Sequence, residues 1–598
     1  MDLLSAIRSV RLFPSKKTLI PLTTIWGEQL DTTQVLQEYP RPQLKRDSYI
    51  NLNGYWKYAI SKSKTYPTEF DGSILIPFSP EAPLSGVNRQ LQPDEFLFCE
   101  RTFSVNELPT DGKRLILNFG AVDQRAHVFI NNKLVTSHIG GYLPFSADIT
   151  DFIICGNNKL TVCIEDHSDT SYHSVGKQKL KRGGMFYTAQ SGIWQTVWME
   201  WVPKIYVKDL TITPSIDKET IHVSLKLNAP LSCGMNDECV VCYVIDSDDT
   251  ILSKGIFTNH SHSLCEFSCY CDVDDMKLWS PEQPYLYKLK LRAATDEVES
   301  YFAMREFSIE KDDNGHARFC LNHKPLFLKG VLDQGYWPDG LYTAPSDEAL
   351  IYDIKQMKSL GFNMLRKHAK IEPARWYYHC DRLGMIVWQD AVNGGGYSAP
   401  LMTWLPTVLP KMKTSFPDCI PSLLCRKNKI GQDEFIQECK DMIHYLKSFP
   451  CISTWVIFNE GWGQFHSKKL TKLFRDLDSQ RLIDTASGWF DLGYGDFKSE
   501  HNYFSKQHVI PDKRAFVISE CGGYVASVKG HVSTSSVYGY KICPDLPAYN
   551  EAYRSLMEEE VEPLIQEGLC GVVYTQLSDI EDEQNGFLTY DRKVCKLK

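Results

Sequence analysis

Two glutamates, Glu460 and Glu520, each come directly after a short apolar run in the sequence. The run WVIF at 455–458 leads into Asn459 and Glu460, and the run FVI at 516–518 leads through a serine into Glu520. Such runs, rich in β-branched and aromatic residues, are typical of strands buried on both faces, and α/β barrels carry catalytic groups where these strands end. Two carboxyl groups at one barrel mouth are what hydrolysis of a glycosidic bond requires.

Either glutamate alone also has a structural explanation. A carboxylate at the end of a buried strand can hold an arginine or cap the following loop, without any part in catalysis. The pattern occurs twice, however, at positions about 60 residues apart. This recurrence favours a catalytic pair over two unrelated structural carboxylates.

Other polar residues beside predicted strands are candidates for binding a sugar. The amide of Asn459 is suited to a sugar hydroxyl, and Arg366, at the end of the strand FNMLR, can hold Glu520 ionised. The ordinary alternatives are a buried structural amide and a plain salt bridge. Loop packing would explain the remaining candidates equally well, and these are His368, Asp390, Trp489, His501 and Tyr503.

The elements that must position these residues are alternating strands and helices, which begin at about residue 310. Ser346 is predicted to cap a helix with apolar residues at 350, 354 and 357 on one face, and another helix is predicted between Pro373 and Gly384. The count of strands reaches eight, which predicts a (β/α)8 TIM barrel over residues 309–598. Two irregularities are expected: too short a gap between the fifth and sixth strands for a helix, and little room for a closing helix after the eighth.

The first half of the chain has the spacing of strands and turns. Short alternating strands predict a jelly-roll β-sandwich over residues 41–204, after an N-terminal extension, residues 1–40, without clear periodicity. Residues 205–308 predict a smaller, immunoglobulin-like β-sandwich. An insertion rich in proline, glycine and tryptophan, at about 391–430, is predicted to form a long loop over the barrel mouth.

Composition narrows the classes of partner. The 598 residues carry a net charge of −9 without long charged runs, which argues against nucleic acid as a partner. No stretch has the ~20 apolar residues of a membrane span, and the N-terminus lacks a convincing signal peptide, so we expect an intracellular, cytoplasmic protein. The sequence leaves open whether copies of the chain assemble into a homo-oligomer. Glycosidic cleavage by two carboxyl groups needs no cofactor, and no His/Asp spacing compels a metal site.

Six of the 19 cysteines, at positions 233, 239, 242, 265, 269 and 271, lie close together in the sequence. In a strand, Cys239 and Cys242 would point to opposite faces, whereas the last three would share one face. We interpret them as reduced thiols in an apolar core, with a zinc site as the alternative.

Motifs in a fixed order make the chain resemble the three-domain core of glycoside hydrolase family 2, the family of β-galactosidases, β-glucuronidases and β-mannosidases. The resemblance runs from about residue 24 onward. The matching motifs are LNGYW at 52, FGAVDQRAHVFINN at 119, SGIWQTVWMEWV at 191, NMLRKHAKIEP at 363, VWQD at 387, FNEGWG at 458, SECGG at 519 and EDEQNGFLTYDR at 581.

By that resemblance Glu460 looks like the general acid/base and Glu520 like the nucleophile of a retaining exo-glycosidase. Tyr503 has the further possible role of donating a hydrogen bond to the nucleophile. Glucuronidases of the family typically present an Asn-x-Lys trio after the last strand, and this chain has DEQNGFLTYDRKVCK there, although Arg592 or Lys593 could substitute. We therefore expect a neutral, galactoside-like β-linked sugar first and a hexuronic acid second. The rival from another class is an inactive barrel that binds glycans without cutting them.

Overall fold

The computed structural model describes residues 17–231, 239–259, 264–398, 401–402 and 418–598. In this part of the chain, two antiparallel β-sandwiches precede a parallel eight-stranded barrel. The fold class expected from the sequence is therefore confirmed. The helices found in the described residues include none that is long and apolar enough to cross a membrane.

The first sandwich pairs a six-stranded with a four-stranded sheet, both antiparallel. Its core is formed by the inward side chains of the alternating strands. In spatial order the larger sheet contains Gly72–Ile76, Gly54–Ser61, Phe96–Val105, Gly156–Glu165, Arg125–Ile130 and Lys133–Ile139, and the smaller contains Ile50–Asn51, Val197–Val202, Arg114–Phe119 and Phe145–Asp148. Short 3₁₀ turns lie at Pro42–Leu44, Pro83–Ser85, Thr150–Phe152 and Ser168–Thr170.

The second sandwich has two four-stranded antiparallel sheets. Strand Tyr287–Ala293 shows the alternation that made this region predictable, because every second side chain is buried. One sheet contains Val207–Ser215, Thr220–Leu227, Glu266–Asp272 and Thr258–Asn259, and the other contains Ile251–Ile256, Val240–Ile245, Tyr287–Ala293 and Asp296–Phe302. A three-stranded sheet, Phe307–Lys311, Ala317–Leu321 and Lys324–Pro325, leads into the barrel.

Cysteines from both sheets of the second sandwich meet in its core. The sulfur of Cys242 lies 3.7 Å from that of Cys269 and 3.5 Å from that of Cys271, and all three residues are buried. Cys239 and Cys265 are only half-buried, and Cys233 lies outside the described residues. The expected core thiols are thus present, but the cluster combines Cys242 of one sheet with Cys269 and Cys271 of the other, a pairing that sequence spacing alone does not predict.

The barrel strands are buried on both faces, which explains their continuous apolar character. Successive strands pair in parallel, the eighth with the first, and no ladder joins the fifth to the sixth, so the barrel is nearly closed. The strands, in chain order, are Leu328–Asp333, Met364–Lys367, Ile386–Asp390, Ile452–Asn459, Leu482–Ser487, Phe497–Asn502, Ala515–Gly522 and Leu569–Thr575.

The helices between barrel strands begin and end where the sequence places caps. Ser346 accepts a hydrogen bond from the backbone N–H of Ala349, and Gly384 ends the next helix in the left-handed conformation. The helices are Asp347–Ser359, Ala374–Leu383, Lys429–Leu446, Ser467–Leu477, Leu546–Ser555, extended by a π turn at Leu556–Val561, and Glu562–Gln566.

Three helices of a regular (β/α)8 barrel have no counterpart in the described residues. The short gap between strands five and six holds no helix, as predicted, and residues 503–514, between strands six and seven, also form none. That twelve-residue segment begins with Tyr503 and contains Pro511. Proline has no backbone N–H to donate to a helix, which disfavours helix formation there. After strand eight the chain continues as a buried irregular segment, in which Arg592 donates to Asp353 at 3.1 Å.

One loop of the first sandwich reaches the barrel mouth. This sandwich loop, residues 171–190, contains the paired short strands Gln178–Lys179 and Tyr187–Thr188. The backbone N–H groups of Val175 and Gly176 donate to the carbonyl of Asn393, at 2.8 and 3.0 Å, directly after barrel strand three. The barrel mouth is therefore walled on one side by the sandwich.

Three further short elements complete the chain. The N-terminal segment forms one helical turn, Ile25–Glu28, and Thr24 donates to Asp339 with both its backbone and its hydroxyl. Two more two-stranded pairs are Val122–Asp123 with Gly192–Ile193 and Tyr524–Val525 with Lys541–Ile542. Of the predicted insertion at 391–430, residues 399–400 and 403–417 lie outside the described part.

Candidate active site

Glu460 and Glu520 come together at the barrel mouth. Glu460 follows barrel strand four and has a left-handed backbone with φ of 52°, fixed by its N–H donating to the carbonyl of Ser487 at 2.9 Å. Glu520 lies in strand seven. A carboxylate oxygen of each lies within 4.8 Å of one of the other. This separation corresponds to the ~5 to 5.5 Å of a retaining pair rather than the ~6.5 to 9.5 Å of an inverting pair.

His501 lies between the two glutamates, fully buried. Its Nδ1 is 2.9 Å from Glu460, and its Nε2 is 3.5 Å from Glu520 and 3.0 Å from the hydroxyl of Ser487. The sequence predicted a sugar-binding position for His501, whereas both ring nitrogens here face protein groups. Its place in the structure is that of a residue that positions the two carboxylates.

These three side chains could also offer ligands to one metal ion, since their atoms lie within 4.8 Å of one another. The guanidinium of Arg366 argues against this use. It lies 3.1 Å from Glu520 and 3.4 Å from His501, so a metal cation at this point would face a fixed positive charge.

Arg366 is the common partner of the site. From strand two, fully buried, it donates to Glu520 at 3.1 Å, to the amide oxygen of Asn459 at 2.8 Å, and with two nitrogens to Asp390. Burial alone would lower its pKa, but the charges of Asp390 and Glu520 hold the pKa of Arg366 above its ordinary value. Arg366 therefore holds the Glu520 carboxylate in one orientation beside Asn459 and Asp390.

Asp390 and His368 stand behind Arg366 rather than in the open cleft. Nδ1 of His368 is 2.7 Å from Asp390, whose two oxygens are already engaged by Arg366. Although burial raises the pKa of Asp390, the charge of Arg366 outweighs it and the pKa is lowered. Asp390 is thus an ionised anchor for Arg366. Of the polar side-chain atoms of Asp390 and His368, only Nε2 of His368 takes no part in these contacts.

Asn459 and Tyr503 lie beside the two glutamates. With its oxygen held by Arg366, Asn459 has an amide N–H₂ that makes no hydrogen bond to the described residues, as binding of a sugar 2-hydroxyl requires. The hydroxyl of Tyr503 donates to Glu520 and lies 3.0 Å from that of Thr575. Burial, then the charges of Glu520 and Glu460, raise the pKa of Tyr503 well above its usual value, so it stays a donor.

Aromatic rings close the mouth. Tyr540 stacks on Tyr503 with ring centres 3.9 Å apart, and Trp489 packs edge-on to His501 while its indole donates to the carbonyl of Met402 at 3.1 Å. Trp489 was a sequence candidate and Tyr540 was not. Tyr540 belongs to an alternation of tyrosines at 538 and 540 that resembles an ordinary strand, and only the fold brings it to the site.

Other residues that sequence reasoning missed include Ser487, Thr575, Glu583 and the sandwich loop. The serine and threonine end barrel strands five and eight, a position that would have identified them. Glu583 accepts from the hydroxyl of Tyr187, a residue of the sandwich loop, and no sequence signal predicted that contact.

A cavity of about 560 Å³ lies away from this site. It lies between the two sandwiches and the side of the barrel, and it is lined by residues such as Arg41, Phe145 and His444. The two glutamates do not line it, so volume alone does not identify the site of chemistry.

Comparison with known proteins identifies the family to which the chain is similar. The model of the glycosyl hydrolases family 2 sugar binding domain matches residues 87–203, that of glycosyl hydrolases family 2 matches 205–305, and that of the family's TIM barrel domain matches 314–510. A β-galactosidase of Lactococcus lactis is 26% identical over 443 residues, which is 72% of this chain and 37% of that protein.

Two further similar proteins are named β-glucuronidases rather than β-galactosidases. A β-glucuronidase of Streptococcus agalactiae is 23% identical over 473 residues, 74% of this chain and 72% of that protein. The solved β-glucuronidase of an uncultured Clostridium has the same fold, with a TM-score of 0.70 at 20% identity, over 92% of this chain and 97% of that one.

The chain spans less than half the length of several of these relatives, for example 37% of the Lactococcus lactis protein and 44% of a β-galactosidase of Streptococcus thermophilus. The three family matches nevertheless follow one another in order and together cover more than half of the chain. The protein therefore belongs to glycoside hydrolase family 2.

Proposed function

We propose that the protein is a retaining exo-glycosidase that removes terminal β-linked sugars by double displacement. The observation that carries this proposal is the approach of Glu460 and Glu520 to within 4.8 Å of each other at the barrel mouth. Family membership supports it, and so do the names of the related proteins, which are β-galactosidases and β-glucuronidases.

In the first step Glu520 attacks the anomeric carbon and forms an ester bond to it. The bond from that carbon to the glycosidic oxygen breaks, and the departing oxygen takes the proton of Glu460. Arg366 and Tyr503 hold Glu520 in line for the attack. The amide of Asn459 donates to the sugar 2-hydroxyl, a contact that strengthens as positive charge develops on the ring.

In the second step water replaces the departed group. Glu460, now ionised, takes a proton from the water, whose oxygen bonds to the anomeric carbon while the ester bond to Glu520 breaks. Each carboxylate returns to its starting state. The sugar leaves with the anomeric configuration it had in the substrate, because two inversions cancel.

The wall formed by the sandwich loop supports action at chain ends. A cleft bounded by residues 171–190 on one side and by the tyrosines at 503 and 540 on the other is a pocket for a terminal sugar rather than a groove for a polymer. The carboxylate pair contacts only the anomeric centre, so it sets the reaction and not the identity of the sugar.

A panel of 4-nitrophenyl α- and β-glycosides tests the reaction. We expect turnover of β-glycosides, first-formed product with retained configuration by proton NMR, and single sugars rather than oligosaccharides from longer substrates. Glu520→Gln should lose about 10⁴-fold or more in kcat, and Glu460→Gln about 10² to 10⁴-fold, less for good leaving groups. An inverted first product would exclude the mechanism, and no turnover at all would favour a glycan-binding protein.

A further inference from the structure

Three thiols converge in the core of the second sandwich. The sulfur of Cys242 lies 3.7 Å from that of Cys269 and 3.5 Å from that of Cys271, and the latter two sulfurs are 3.9 Å apart. The three sulfurs therefore form a nearly equilateral triangle, which we call the thiol triangle. None of its residues belongs to the site at the barrel mouth.

The two sheets of the sandwich both contribute to the thiol triangle. Cys269 and Cys271 are alternate residues of the strand Glu266–Asp272, so their side chains share its inward face. Cys242 lies in Val240–Ile245, a strand of the facing sheet, and all three residues belong to one buried apolar cluster. An ion held by the three sulfurs would link the sheets directly.

Gly255 leaves one side of the thiol triangle without a side chain. It is paired with Cys242 in the antiparallel ladder, and paired residues present their side chains on the same face of a sheet. A Cβ at Gly255 would lie 2.5 Å from the sulfur of Cys271, 2.7 Å from that of Cys269 and 2.9 Å from that of Cys242. Glycine inside a strand often marks a place that a ligand or another backbone approaches closely.

The strand that contains Gly255 also lies at the edge of its sheet. Gly255 is the only buried residue of this strand, Ile251–Ile256, and its neighbours Lys254 and Ile256 are exposed. A small ion therefore has a short path from solvent to the thiol triangle.

The dimensions of the thiol triangle fit three corners of a tetrahedron around zinc. Zinc–sulfur bonds of about 2.3 Å place the sulfurs of such a tetrahedron about 3.8 Å apart, because its edge is about 1.63 times the distance from centre to corner. The observed separations are 3.5 to 3.9 Å. Among the described residues no fourth Cys, His, Asp or Glu belongs to this group, which leaves one corner for a water molecule.

Thiolate ligands select soft and borderline cations, above all Zn²⁺ and Cu⁺. Zn²⁺ with three thiolates leaves a single net negative charge, whereas Cu⁺ would leave two, and burying the larger charge in an apolar core costs more. We propose that Cys242, Cys269 and Cys271 bind a zinc ion that links the two sheets of the second sandwich. Each thiol releases its proton to solvent as its sulfur bonds to the metal. This role is separate from the proposed function and does not depend on it.

Metal titration of the wild-type chain tests the inference without any measurement of activity. The reduced protein is stripped with a chelator and titrated with Zn²⁺, and with Co²⁺ as a spectroscopic probe. We expect about one tightly bound zinc per chain, with a Kd below about 1 μM, and sulfur-to-cobalt charge-transfer absorption. X-ray absorption of the zinc-loaded protein should show sulfur neighbours at about 2.3 Å, more numerous than nitrogen and oxygen.

Variants assign the metal to these three residues. Cys269→Ser should weaken zinc binding at least about 100-fold, because even the loss of a partner behind a ligand costs about 10- to 100-fold. Gly255→Ala keeps all three thiols, but its Cβ forces the sulfurs apart, and we expect a loss of at least about tenfold. Cys163→Ala is the matched control, because it removes a buried thiol of the first sandwich and should leave zinc affinity unchanged.

Thermal unfolding gives a further readout. A metal that binds only the folded state stabilises it, so zinc should raise the melting temperature of the wild type and of Cys163→Ala but not that of Cys269→Ser. Three outcomes overturn the inference: no tight zinc site in the wild type, a metal shell in which nitrogen and oxygen outnumber sulfur, or a zinc affinity that Cys269→Ser and Gly255→Ala both retain. The first two measurements use only the wild type, so they decide the matter even where a variant does not fold.

Discussion

At the scale of single residues, the site depends on one buried arginine with several acceptors. Arg366 joins Glu520, Asn459 and Asp390, so the nucleophile, the amide beside the acid and the anchor behind them share one orientation. Three acceptors around a planar guanidinium use its fork geometry, which a lysine cannot reproduce. The alignment of the two catalytic candidates therefore comes from strand two as well as from their own strands.

Tyr503→Phe tests how much the nucleophile depends on its second donor. The variant loses the hydroxyl that donates to Glu520 but keeps the ring that stacks on Tyr540. We expect kcat/KM for a β-glycoside to fall about 10- to 100-fold, since a hydrogen bond to a charged group is lost. Steady-state kinetics measures the effect.

Tyr540→Phe provides the control for that change. Its ring stacks on Tyr503 in the same way, but no hydrogen bond joins its hydroxyl to Glu520 within the described residues. We expect less than a threefold loss. Equal losses in the two variants would show that stacking, not donation to Glu520, makes Tyr503 important.

The sequence predicted the residues that end strands and missed those that other elements deliver. Glu460, Glu520 and Arg366 were predictable because each directly follows or ends a buried apolar run. Tyr540 was not, because no local pattern tells which part of the connection between barrel strands seven and eight reaches the mouth. The position of His501 was predictable, but its contacts were not, because these depend on which atoms its two nitrogens face.

At the scale of elements, periodicity predicted the strands better than the helices between them. Buried parallel strands need continuous apolar runs, which are visible in the sequence, and caps such as Ser346 mark the helices that exist. The segment at 503–514 had no such mark and forms no helix. The contact between the sandwich loop and the barrel is long-range, and it was not predictable from either segment alone.

Gly394→Ala tests whether that contact positions the cleft. A Cβ at Gly394 would lie 2.5 Å from the carbonyl of His173 and 2.7 Å from the α-carbon of Ser174, both backbone atoms of the sandwich loop. The loop must therefore shift outward. We expect KM to rise about 5- to 20-fold with a smaller change in kcat, because binding is lost and the carboxylates stay in place.

Gly396→Ala is the matched control for this substitution. A Cβ there would meet only Cys425, at 3.4 Å from its side chain, which is ordinary contact. We expect KM and the melting temperature to stay close to those of the wild type. A rise in KM that is the same in both variants would indicate that the segment after barrel strand three, rather than the sandwich loop, controls binding.

At the scale of the whole molecule, buried carboxyl groups with raised pKa values occur in several parts of the fold. Burial raises the pKa of Glu81, in the first sandwich, of Glu438, in the helix that contacts the sandwich loop, and of Asp484, in barrel strand five, to about 7 in each case. In the unfolded chain such groups titrate near pH 4. At these three groups the folded protein therefore binds more protons than the unfolded chain between about pH 4 and 7.

This difference fixes the direction of the pH dependence of stability. Where the folded state binds more protons, the free energy of unfolding falls as pH rises, by about 1.4 kcal/mol per pH unit for each fully linked proton. The stabilisation is complete below about pH 4 for these groups and is lost as pH rises through about 7. We expect the melting temperature, measured by calorimetry, to fall from pH 5.5 to pH 8.

Asp484→Asn separates this cause from others. Asparagine keeps the shape and carries no charge, so the variant should lose less stability than the wild type as pH rises from 5.5 to 8. Asp512→Asn is the control: the hydrogen bond from Arg514 lowers the pKa of Asp512 to about 2, so its contribution is constant above pH 5 and its loss should leave the slope unchanged. A wild-type melting temperature that rises with pH, or an Asp484→Asn slope equal to that of the wild type, would show that the buried carboxyl groups do not set the pH dependence.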